Sequence, residues 1–494
     1  MKKIYFYDTS KKTKVEFVSL KPNIAKIYVC GPTVYDNSHL GHARSANAFD
    51  LLHRVLKVNG YEVVFAKNFT DIDDKIINKL KEFKFSKPNN TKDKRILYRF
   101  NKINNFNRFS NLNLIKLVEL YIKKYRSEMG QLNILKSTIS PKALDNLDAM
   151  KEMIENLLSK DIAYKTDDSV YFDVSKDKNY GSLSHQASDE NSIARVEINN
   201  QKRNSSDFAL WKFEKASDVS FASNFGAGRP GWHIECSAMI EKHLAYKDEP
   251  FQIDIHCGGA DLLFPHHENE ASQTRCASGQ NLAKYWMHNG FVNINGEKMS
   301  KSLGNSFFLK DVLKSYSGEV VRFYLLSSSY RANINFNEED LLASKKRLDK
   351  LYRVKKRVYE VTASKVNEKF ENTVLEALND DLNTSLALSF IDEFINSSND
   401  SLDKNPKDKS LKQEIVANIE FIEKVLGFGG SDAFSYFQFG VSLELKKRIE
   451  DLISKRAEAK KNKDFAKADS IRDELSAMNI SIMDTALGVV WEYR

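Results

Sequence analysis

Residues 26–65 read KIYVCGPTVYDNSHLGHARSANAFDLLHRVLKVNGYEVVF and contain three elements in succession. The apolar run 26–30 predicts a short buried strand, which ends at the turn Gly31-Pro32-Thr33. A helix is predicted from about residue 42 to residue 58, because apolar residues recur at helical spacing and Gly60 follows as a stop. Residues 61–65 predict the next strand. Strand, turn, helix and strand form the opening βαβ unit of a doubly wound α/β fold that binds nucleotides.

The rest of the chain divides into segments of different pattern. Residues 251–256 alternate as a strand. After residue 318 the pattern is almost wholly helical up to about residue 426. The tail predicts two helices and a small closing hairpin, and residues 82–113, rich in Asn, Lys and Phe, predict an inserted loop. The sequence contains no apparent internal repeat.

Composition limits the class of protein. A chain of 494 residues is too long for one core, so we expect three or more domains. It has no run of 18 apolar residues, and its first residues lack the apolar region of a secretory signal, so we expect neither a membrane span nor secretion. Four cysteines are too few for a disulfide scaffold. These features favour a cytoplasmic protein.

Charge permits a nucleic-acid partner without requiring one. The formal net charge is +8, which is modest for this length. Residues 345–357 contain eight basic residues and one acid, and apolar residues recur through the segment at helical spacing. Such a helix is either a solvated charged face or a surface that follows phosphates, and only the second interpretation implies RNA.

Two segments far apart carry histidines, lysines and glycines. His39-Leu40-Gly41-His42 lies where the predicted helix begins, and Gly296-Glu297-Lys298-Met299-Ser300-Lys301-Ser302 forms a basic loop more than a domain's length downstream. Helix N-termini and lysines are suited to a polyanion such as a nucleoside triphosphate. Alone, the second segment is typical of an ordinary surface loop.

Four further residues are potential metal ligands. Cys30 ends the first predicted strand, at the edge where open α/β sheets bind ligands, and Cys236 lies in a predicted helix. His266 and Glu270 are four residues apart, so a helix would place them on one face. Taken singly, each is more typical of a buried cysteine or an ordinary polar residue. Two thiols, one imidazole and one carboxylate suit Zn²⁺, and the absence of a CxxC pair argues against a purely structural site.

These segments together resemble the cysteinyl-tRNA synthetases, a family of class I aminoacyl-tRNA synthetases. The matching segments, beside the loop 296–302, are Cys30–His42, Asn68–Lys75, Gly231–Met239, Phe264–Glu270, Trp286–Gly290, Ala466–Asp473 and Asp484-Thr485. These segments are spread along nearly the whole chain and are long enough to be specific matches. The chain departs from the family pattern at Cys257, where glycine is usual, and in the length of 82–113.

The resemblance implies a Rossmann-like parallel-sheet catalytic domain with an inserted connective domain, then a mostly helical bundle and a small mixed C-terminal domain. The expected bounds are 1–130 and 206–318 for the two catalytic halves, 131–205 for the connective domain, 319–426 for the tRNA-binding bundle and 427–494 for the domain on the anticodon side. The tail and the bundle would then bind tRNA.

The resemblance also implies an activity. A cysteine–tRNA ligase joins L-cysteine and ATP into cysteinyl-adenylate and pyrophosphate, then transfers cysteine to the 3′ end of tRNA(Cys). The residues implied are His39, His42, Lys298 and Lys301 for catalysis; His39, Gly41, His42 and Lys301 for ATP; Thr70, Trp232, His233 and Asp261 for the amino acid; and Cys30, Cys236, His266 and Glu270 for one Zn²⁺ per chain. Mg²⁺ would accompany ATP, and the protein would be a monomer.

The implied zinc explains how cysteine is told from serine. Packing alone separates sulfur from oxygen poorly, whereas a thiolate binds Zn²⁺ far better than a neutral hydroxyl. Two other functions use the same residues: a ligase joining activated cysteine to a small amine, and an inactive RNA-binding relative with structural zinc. The basic helical region and tail favour tRNA over the first, and the intact histidines and Lys301 argue against the second. No Gly-x-Gly-x-x-Gly follows the first strand, which disfavours an NAD-dependent oxidoreductase.

Overall fold

A computed structural model describes residues 2–85, 111–185, 201–214, 219–294, 297–298, 307–485 and 488–493. Most of the predicted insertion at 82–113 therefore lies outside the described residues. Within them, none of the helices combines the length and the apolar character needed to cross a membrane.

The described chain alternates strands and helices in its first half and is mainly helical in its second. The strands are β1 Tyr5–Asp8, β2 Thr13–Glu16, β3 Ile24–Val29, β4 Glu62–Lys67, β5 Ala163–Lys165, β6 Ser169–Phe172, β7 Phe208–Phe213, β8 Gly228–Pro230, β9 Phe251–Gly259, β10 Asn281–Asn289, β11 Val292–Ile294, β12 Glu297–Lys298, β13 Ile334–Phe336, β14 Ile480–Thr485 and β15 Gly488–Tyr493. The helices are α1 Leu40–Val58, α2 Asp74–Phe85, α3 Asn111–Gln131, α4 Leu147–Ser159, α5 Trp232–His243, α6 Glu268–Ser278, α7 Leu309–Ser315, α8 Gly318–Leu326, α9 Glu338–Arg357, α10 Glu368–Asn379, α11 Thr384–Lys404, α12 Lys409–Leu426, α13 Ala433–Phe437, α14 Leu443–Lys461 and α15 Phe465–Ala477.

The central sheet confirms the predicted doubly wound α/β class. Its strand order is β10-β9-β3-β4, and every neighbouring pair is parallel. The predicted strands 26–30 and 61–65 are β3 and β4, which pair from Ile24 opposite Glu62 to Val29 opposite Lys67. The helix α1 that joins them begins two residues earlier than predicted. In a parallel sheet all strands end at the same edge, so the residues after β3, β4, β9 and β10 meet there.

The remaining elements surround this sheet. Strands β5 to β8 form a separate antiparallel sheet, and β14 and β15 form the predicted closing hairpin. Helices α8 to α12 confirm the predicted helical region, which β13 interrupts briefly. One large apolar core joins α1 and the central sheet to this helical region.

The basic segment 345–357 is the second half of α9, and its apolar stripe is buried as predicted, with Leu348 and Leu351 almost inaccessible. Many of its cations have partners within the protein. Carboxylates pair with Lys345, Arg347, Lys356 and Arg357, and Lys355 donates to two carbonyls near residue 430. The structure therefore favours a mainly structural role for this helix face over a phosphate-tracking one.

A buried ionic network centred on Asp50 of α1 holds the helical region against the central sheet. The Asp50 carboxylate accepts from Arg54 at 2.8 Å and from Arg322 of α8. Burial alone would raise the pKa of Asp50, but the two guanidinium groups hold it below its usual value. All three side chains are nearly inaccessible, so each charge depends on the others for compensation.

The same two arginines cap the end of α12. Arg54 donates to the carbonyls of Glu423 and Lys424, and Arg322 donates to the carbonyl of Leu426. Carbonyl groups at the end of a helix lack partners within it and carry partial negative charge. Asp50 therefore fixes two cations that tie the last turn of α12 to α1, the helix whose first turn carries His39 and His42.

Replacing Asp50 by Asn should destabilise the protein strongly, because two buried arginines would lose their anion. We expect Asp50→Asn to lower the free energy of unfolding by about 3 kcal/mol or more, measured from the first transition in urea. The control is Asp148→Asn, whose side chain is 97% exposed in its pair with Lys151 and should cost less than about 0.5 kcal/mol. Equal, small effects of the two substitutions would contradict the assignment.

Candidate functional site

The carboxyl edge of the central sheet opens into a cavity of about 470 Å³. Cys30, Trp232 and Asp261 line one part of it. His39, Gly41 and His42 line another part of the same cavity. The two signature regions predicted from the sequence, the cysteine-containing strand end and the histidine pair, therefore face one space.

Four predicted metal ligands come together at the first part. Cys30 follows β3, Cys236 lies in α5, His266 lies in the turn 263–267 after β9, and Glu270 lies in the first turn of α6. Their potential ligand atoms all lie within 4.8 Å of one another. All four residues are buried, from 8% exposed for Cys30 to 0% for Glu270.

The distances between these atoms fit a tetrahedral ion. The two thiols are 3.7 Å apart, Cys30 Sγ is 3.4 Å from Glu270 Oε1, and Cys236 Sγ is 3.8 Å from His266 Nε2. Donors at zinc-ligand bond lengths around a tetrahedral centre lie about 3.3–3.8 Å apart. His266 Nε2 is closer to Glu270 Oε1, at 2.9 Å. The donor set and its spacing therefore fit Zn²⁺.

The electrostatics of the cluster favour a cation. Burial opposes a charge on Glu270, yet His266 and His256 beside it hold the pKa of the carboxyl well below its usual range. Burial also works against a charge on His266, but Glu270 raises the pKa of the imidazole to about 10. Burial raises the pKa of the Cys30 thiol, whereas hydrogen bonds from Cys30 and His266 outweigh burial and lower the pKa of Cys236 to about 6. Metal binding at such a site displaces protons from its ligands.

A chain of histidines behind the ligands was not predicted from the sequence. His256 Nε2 lies 2.8 Å from Glu270 Oε2, and Trp286 stacks on the His256 ring at 4.6 Å. His267 Nδ1 lies 2.8 Å from His288 Nε2, so a second pair continues the chain. Partners of this kind orient metal ligands. In the sequence, His267 and His288 belong to the matching segments Phe264–Glu270 and Trp286–Gly290, and His256 ends the predicted strand 251–256, but none of this indicates which groups they contact.

A second set of donors overlaps the first. Cys30, His256, His267 and Glu270 also bring potential ligand atoms within 4.8 Å of one another. Compared with the predicted set, this one has one thiol fewer and one imidazole more, and its four residues are also buried. In this second set His256 Nε2 contacts the outer oxygen of Glu270 and His267 Nδ1 contacts His288. The set predicted from the sequence is the one that brings two thiols to one centre.

The two signature histidines occupy the start of α1. His39 is the N-cap residue and His42 is the third residue of the helix, and the His39 backbone amide donates to His42 Nδ1 at 3.3 Å. Their rings stack with centroids 3.7 Å apart. Both therefore lie at a helix N-terminus, where the helix dipole stabilises anions.

The predicted amino-acid-binding residues divide into two groups. Trp232 and Asp261 line the cavity, and the Trp232 ring stacks on His266 at 4.1 Å. Thr70 and His233 are not among the residues that line it. His233 Nδ1 contacts His266 Nδ1 at 2.9 Å, so it supports a proposed ligand from behind.

Thr70 is buried at 1% exposure and hydrogen bonds to the carboxyl of Glu235. Burial raises the pKa of that carboxyl well above its usual range and so favours its neutral form. The structure thus places Thr70 near the cluster but not on the cavity wall.

The predicted lysine loop is only partly described. Glu297–Lys298 form β12, which pairs with β11 so that Lys298 lies opposite Asn293. The segment 289–292 that leads into β11 lines the cavity, which puts the loop's first strand next to it. Lys301 lies outside the described residues.

This arrangement has counterparts among known proteins. Residues 16–346 match the family model described as the tRNA synthetases class I (C) catalytic domain. Residues 373–429 match the DALR domain, and residues 443–491 match the cysteinyl-tRNA ligase anticodon binding domain. A cysteine–tRNA ligase of Aliarcobacter butzleri is 67% identical over 492 residues, which cover 100% of both chains.

The chain belongs to the cysteine–tRNA ligase family. It is accordingly a ligase that forms aminoacyl-tRNA. Further family members include cysteine–tRNA ligases from Nitratiruptor sp., 58% identical over 98% of this chain and 99% of the relative, and from Helicobacter pylori, 55% identical over 99% of each. The resemblance inferred from the motifs is confirmed.

Solved structures of other synthetases share the fold. A Mycobacterium tuberculosis methionyl-tRNA synthetase in complex with methionyl-adenylate superposes with a TM-score of 0.55 at 14% identity, over 82% of this chain and 92% of that one. A putative arginyl-tRNA synthetase from Campylobacter jejuni gives 0.52 at 14% identity, over 83% and 93%. This chain and these two synthetases therefore share one fold.

The tight packing behind the cluster can be tested at Gly258. A Cβ atom there would lie 2.6 Å from Cε1 and 2.9 Å from Nε2 of the buried His267. We expect Gly258→Ala to destabilise the protein by about 1–3 kcal/mol, as overpacking does, measured by urea unfolding. Gly130→Ala is the control, since a Cβ there meets nothing within 4 Å and should be neutral or stabilising. A Gly258→Ala variant as stable as wild type would contradict this packing.

Proposed function

We propose that this cysteine–tRNA ligase activates L-cysteine with ATP and transfers it to the 3′ end of tRNA(Cys), and that zinc selects the substrate thiol. In the first step a cysteine carboxylate oxygen attacks the α-phosphorus of ATP. The bond from that phosphorus to the bridging oxygen breaks, and pyrophosphate leaves with the electron pair. In the second step a terminal ribose hydroxyl attacks the carbonyl carbon, AMP leaves, and the hydroxyl proton passes to solvent.

One observation carries the proposal. Cys30 belongs to the four-donor cluster and also lines the cavity that holds His39 and His42. A substrate whose sulfur lies at the cluster therefore extends its carboxylate into the same space as the histidines. Bringing the two reactants together in this way is a large part of what such a reaction needs, because neither step requires a covalent enzyme intermediate.

The proposed ligands are Cys30, Cys236, His266 and Glu270. Bound Zn²⁺ would supply preferential binding of a thiolate over a neutral hydroxyl, which separates cysteine from serine. The residues of the chain supply the rest: burial keeps water away from the donors, and His256 and His233 hold Glu270 and His266 in place. If the bound metal separates cysteine from serine in this way, no editing domain is required.

The histidines and lysines act on the nucleotide. We assign His39, Gly41 and His42 to ATP, because the helix N-terminus and two imidazoles converge where phosphate oxygens would lie. Lys298 and Lys301 are assigned to stabilising the negative charge that develops on the phosphates. Mg²⁺ would accompany ATP and offset part of the same charge.

The amino-acid pocket follows from the cavity lining. Trp232 covers one face of the cluster and Asp261 faces the cavity, where its carboxylate can pair with the substrate ammonium. Thr70 and His233 are assigned supporting positions behind them.

The remaining parts of the chain are assigned to tRNA. We assign residues 1–130 and 206–318 to the two catalytic halves and residues 131–205 to the connective domain. Residues 319–426 form the bundle, and residues 427–494 form the anticodon-side domain. The family models for residues 373–429 and 443–491 support tRNA binding by the last two units. We further infer that the protein is cytoplasmic. We also infer that it is a monomer, which sedimentation of the purified protein would test.

The experiment that tests this function compares Cys236→Ser with Cys276→Ser. Wild-type protein should hold one zinc per chain by elemental analysis and should charge a tRNA(Cys) transcript with cysteine only when ATP is present. Cys236→Ser replaces a thiolate donor by a hydroxyl, so zinc content and charging should fall together, by at least about tenfold.

Cys276 is a matched control, because it is a half-buried cysteine outside both donor sets. Cys276→Ser should keep its zinc and its activity. Full charging by Cys236→Ser protein that contains no zinc would overturn the assignment of the metal.

A further inference from the structure

The active-site cavity has a third wall that neither the metal cluster nor the nucleotide-binding histidines use. Lys67, Lys75, Tyr35 and Tyr125 line it. Lys67 ends β4 and Lys75 lies in the first turn of α2, whereas Tyr125 comes from α3. Tyr35 lies between β3 and α1, so four separate segments contribute two cations and two aromatic rings to one face.

The two ammonium groups lie against aromatic rings instead of carboxylates. Lys67 Nζ is 2.5 Å from the Tyr125 hydroxyl and 5.2 Å from the centre of that ring, and Lys75 Nζ is 5.9 Å from the centre of the Tyr35 ring. Within the described part of the chain, no carboxylate oxygen lies within 4 Å of either ammonium. The Asp73 carboxylate accepts instead from the Lys75 backbone amide. Both cations thus remain available to an anion.

The position of this wall separates it from the lysine part of the assigned phosphate site. β4 is one edge of the sheet order β10-β9-β3-β4. The segment 289–292 and the Lys298 strand follow β10, which is the opposite edge. Lys67 and Lys75 therefore lie at the other edge of the sheet from the strand that carries Lys298, whereas His39 and His42 follow the neighbouring strand β3.

We propose that Lys67 and Lys75, with Tyr35 and Tyr125, bind the single-stranded 3′ end of tRNA as it enters the cavity. The inference rests on the proposed function, since it supplies the site for the third substrate. Single-stranded nucleic acid is held by cations on its phosphates and by aromatic side chains on its bases. A ribose hydroxyl that reaches the activated carbonyl brings its neighbouring phosphodiester groups into the cavity, where these two cations face them.

The test separates the two steps of the reaction. Lys67→Met and Lys75→Met should leave tRNA-independent ATP–pyrophosphate exchange with cysteine within about twofold of wild type. Each should slow single-turnover transfer from preformed cysteinyl-adenylate to tRNA by about tenfold, the size of one hydrogen bond to a charged group. Lys67→Arg should restore transfer. Lys57→Met, at an exposed position at the far end of α1, is the control and should change neither step.

A binding measurement makes the test independent of catalysis. The probes are a tRNA(Cys) transcript and the same transcript without its three 3′-terminal nucleotides. The double variant should bind the full-length transcript more weakly and the shortened one as wild type does. For the full-length transcript, the slope of log affinity against log salt should become shallower by about 0.7 for each lysine removed.

Two results would overturn the inference. A parallel loss of pyrophosphate exchange in the variants would assign the lysines to ATP, and equal weakening for both transcripts would show that they do not contact the 3′ end. Absence of exchange in wild-type protein would instead contradict the proposed function, while the binding measurement would still decide whether the lysines hold the 3′ end. Thermal unfolding midpoints equal to wild type show that the variants are folded.

Discussion

A buried carboxylate, Glu270, determines how this site is built. Its side chain has no exposed surface, so its charge must be compensated by groups brought from elsewhere in the chain. His266 contacts one of its oxygens and His256 contacts the other, and Cys30 approaches from the end of β3. The central parallel sheet makes this possible, because β3 and β9 end at the same edge and deliver Cys30 and the turn with His266 to one point. The cluster is thus a consequence of strand order as much as of residue type.

The reaction uses the same edge for a different purpose. His39 and His42 begin the helix that follows β3, so the nucleotide site is a few residues along the chain from the proposed zinc ligand Cys30. Farther along, the same helix carries Asp50 and Arg54, and Arg54 both donates to Asp50 and binds a carbonyl in the last turn of α12. One helix thereby connects the proposed phosphate site with the helical region that matches the DALR domain.

The sequence predicted the fold class, because that depends on local pattern, and it indicated candidate metal ligands by their residue types. The βαβ unit follows from apolar spacing and glycine stops, and Cys30, Cys236, His266 and Glu270 are the residue types that zinc requires. The role of His256 could not be predicted, since its contact with Glu270 depends on the register between β9 and the helix after it. The basic face of α9 was left between two interpretations, and only the tertiary partners of Arg347 and Lys356 decide between them. Thr70 was assigned to the amino-acid pocket by resemblance, yet its hydroxyl contacts Glu235 behind the wall. Lys75 ends the matching segment Asn68–Lys75 and Lys67 directly precedes it, but the resemblance assigns neither lysine a role, and only the fold shows that both line the cavity.

The central claim is that one cluster both holds the metal and chooses the amino acid. The most direct measurement is ATP–pyrophosphate exchange with cysteine and with serine, on protein whose zinc content is known, before and after the metal is stripped and restored. The account predicts exchange with cysteine only, loss of that exchange on stripping, and recovery when Zn²⁺ is returned. Exchange with cysteine that continues unchanged in zinc-free protein, or exchange with serine at a comparable rate in zinc-loaded protein, would contradict it.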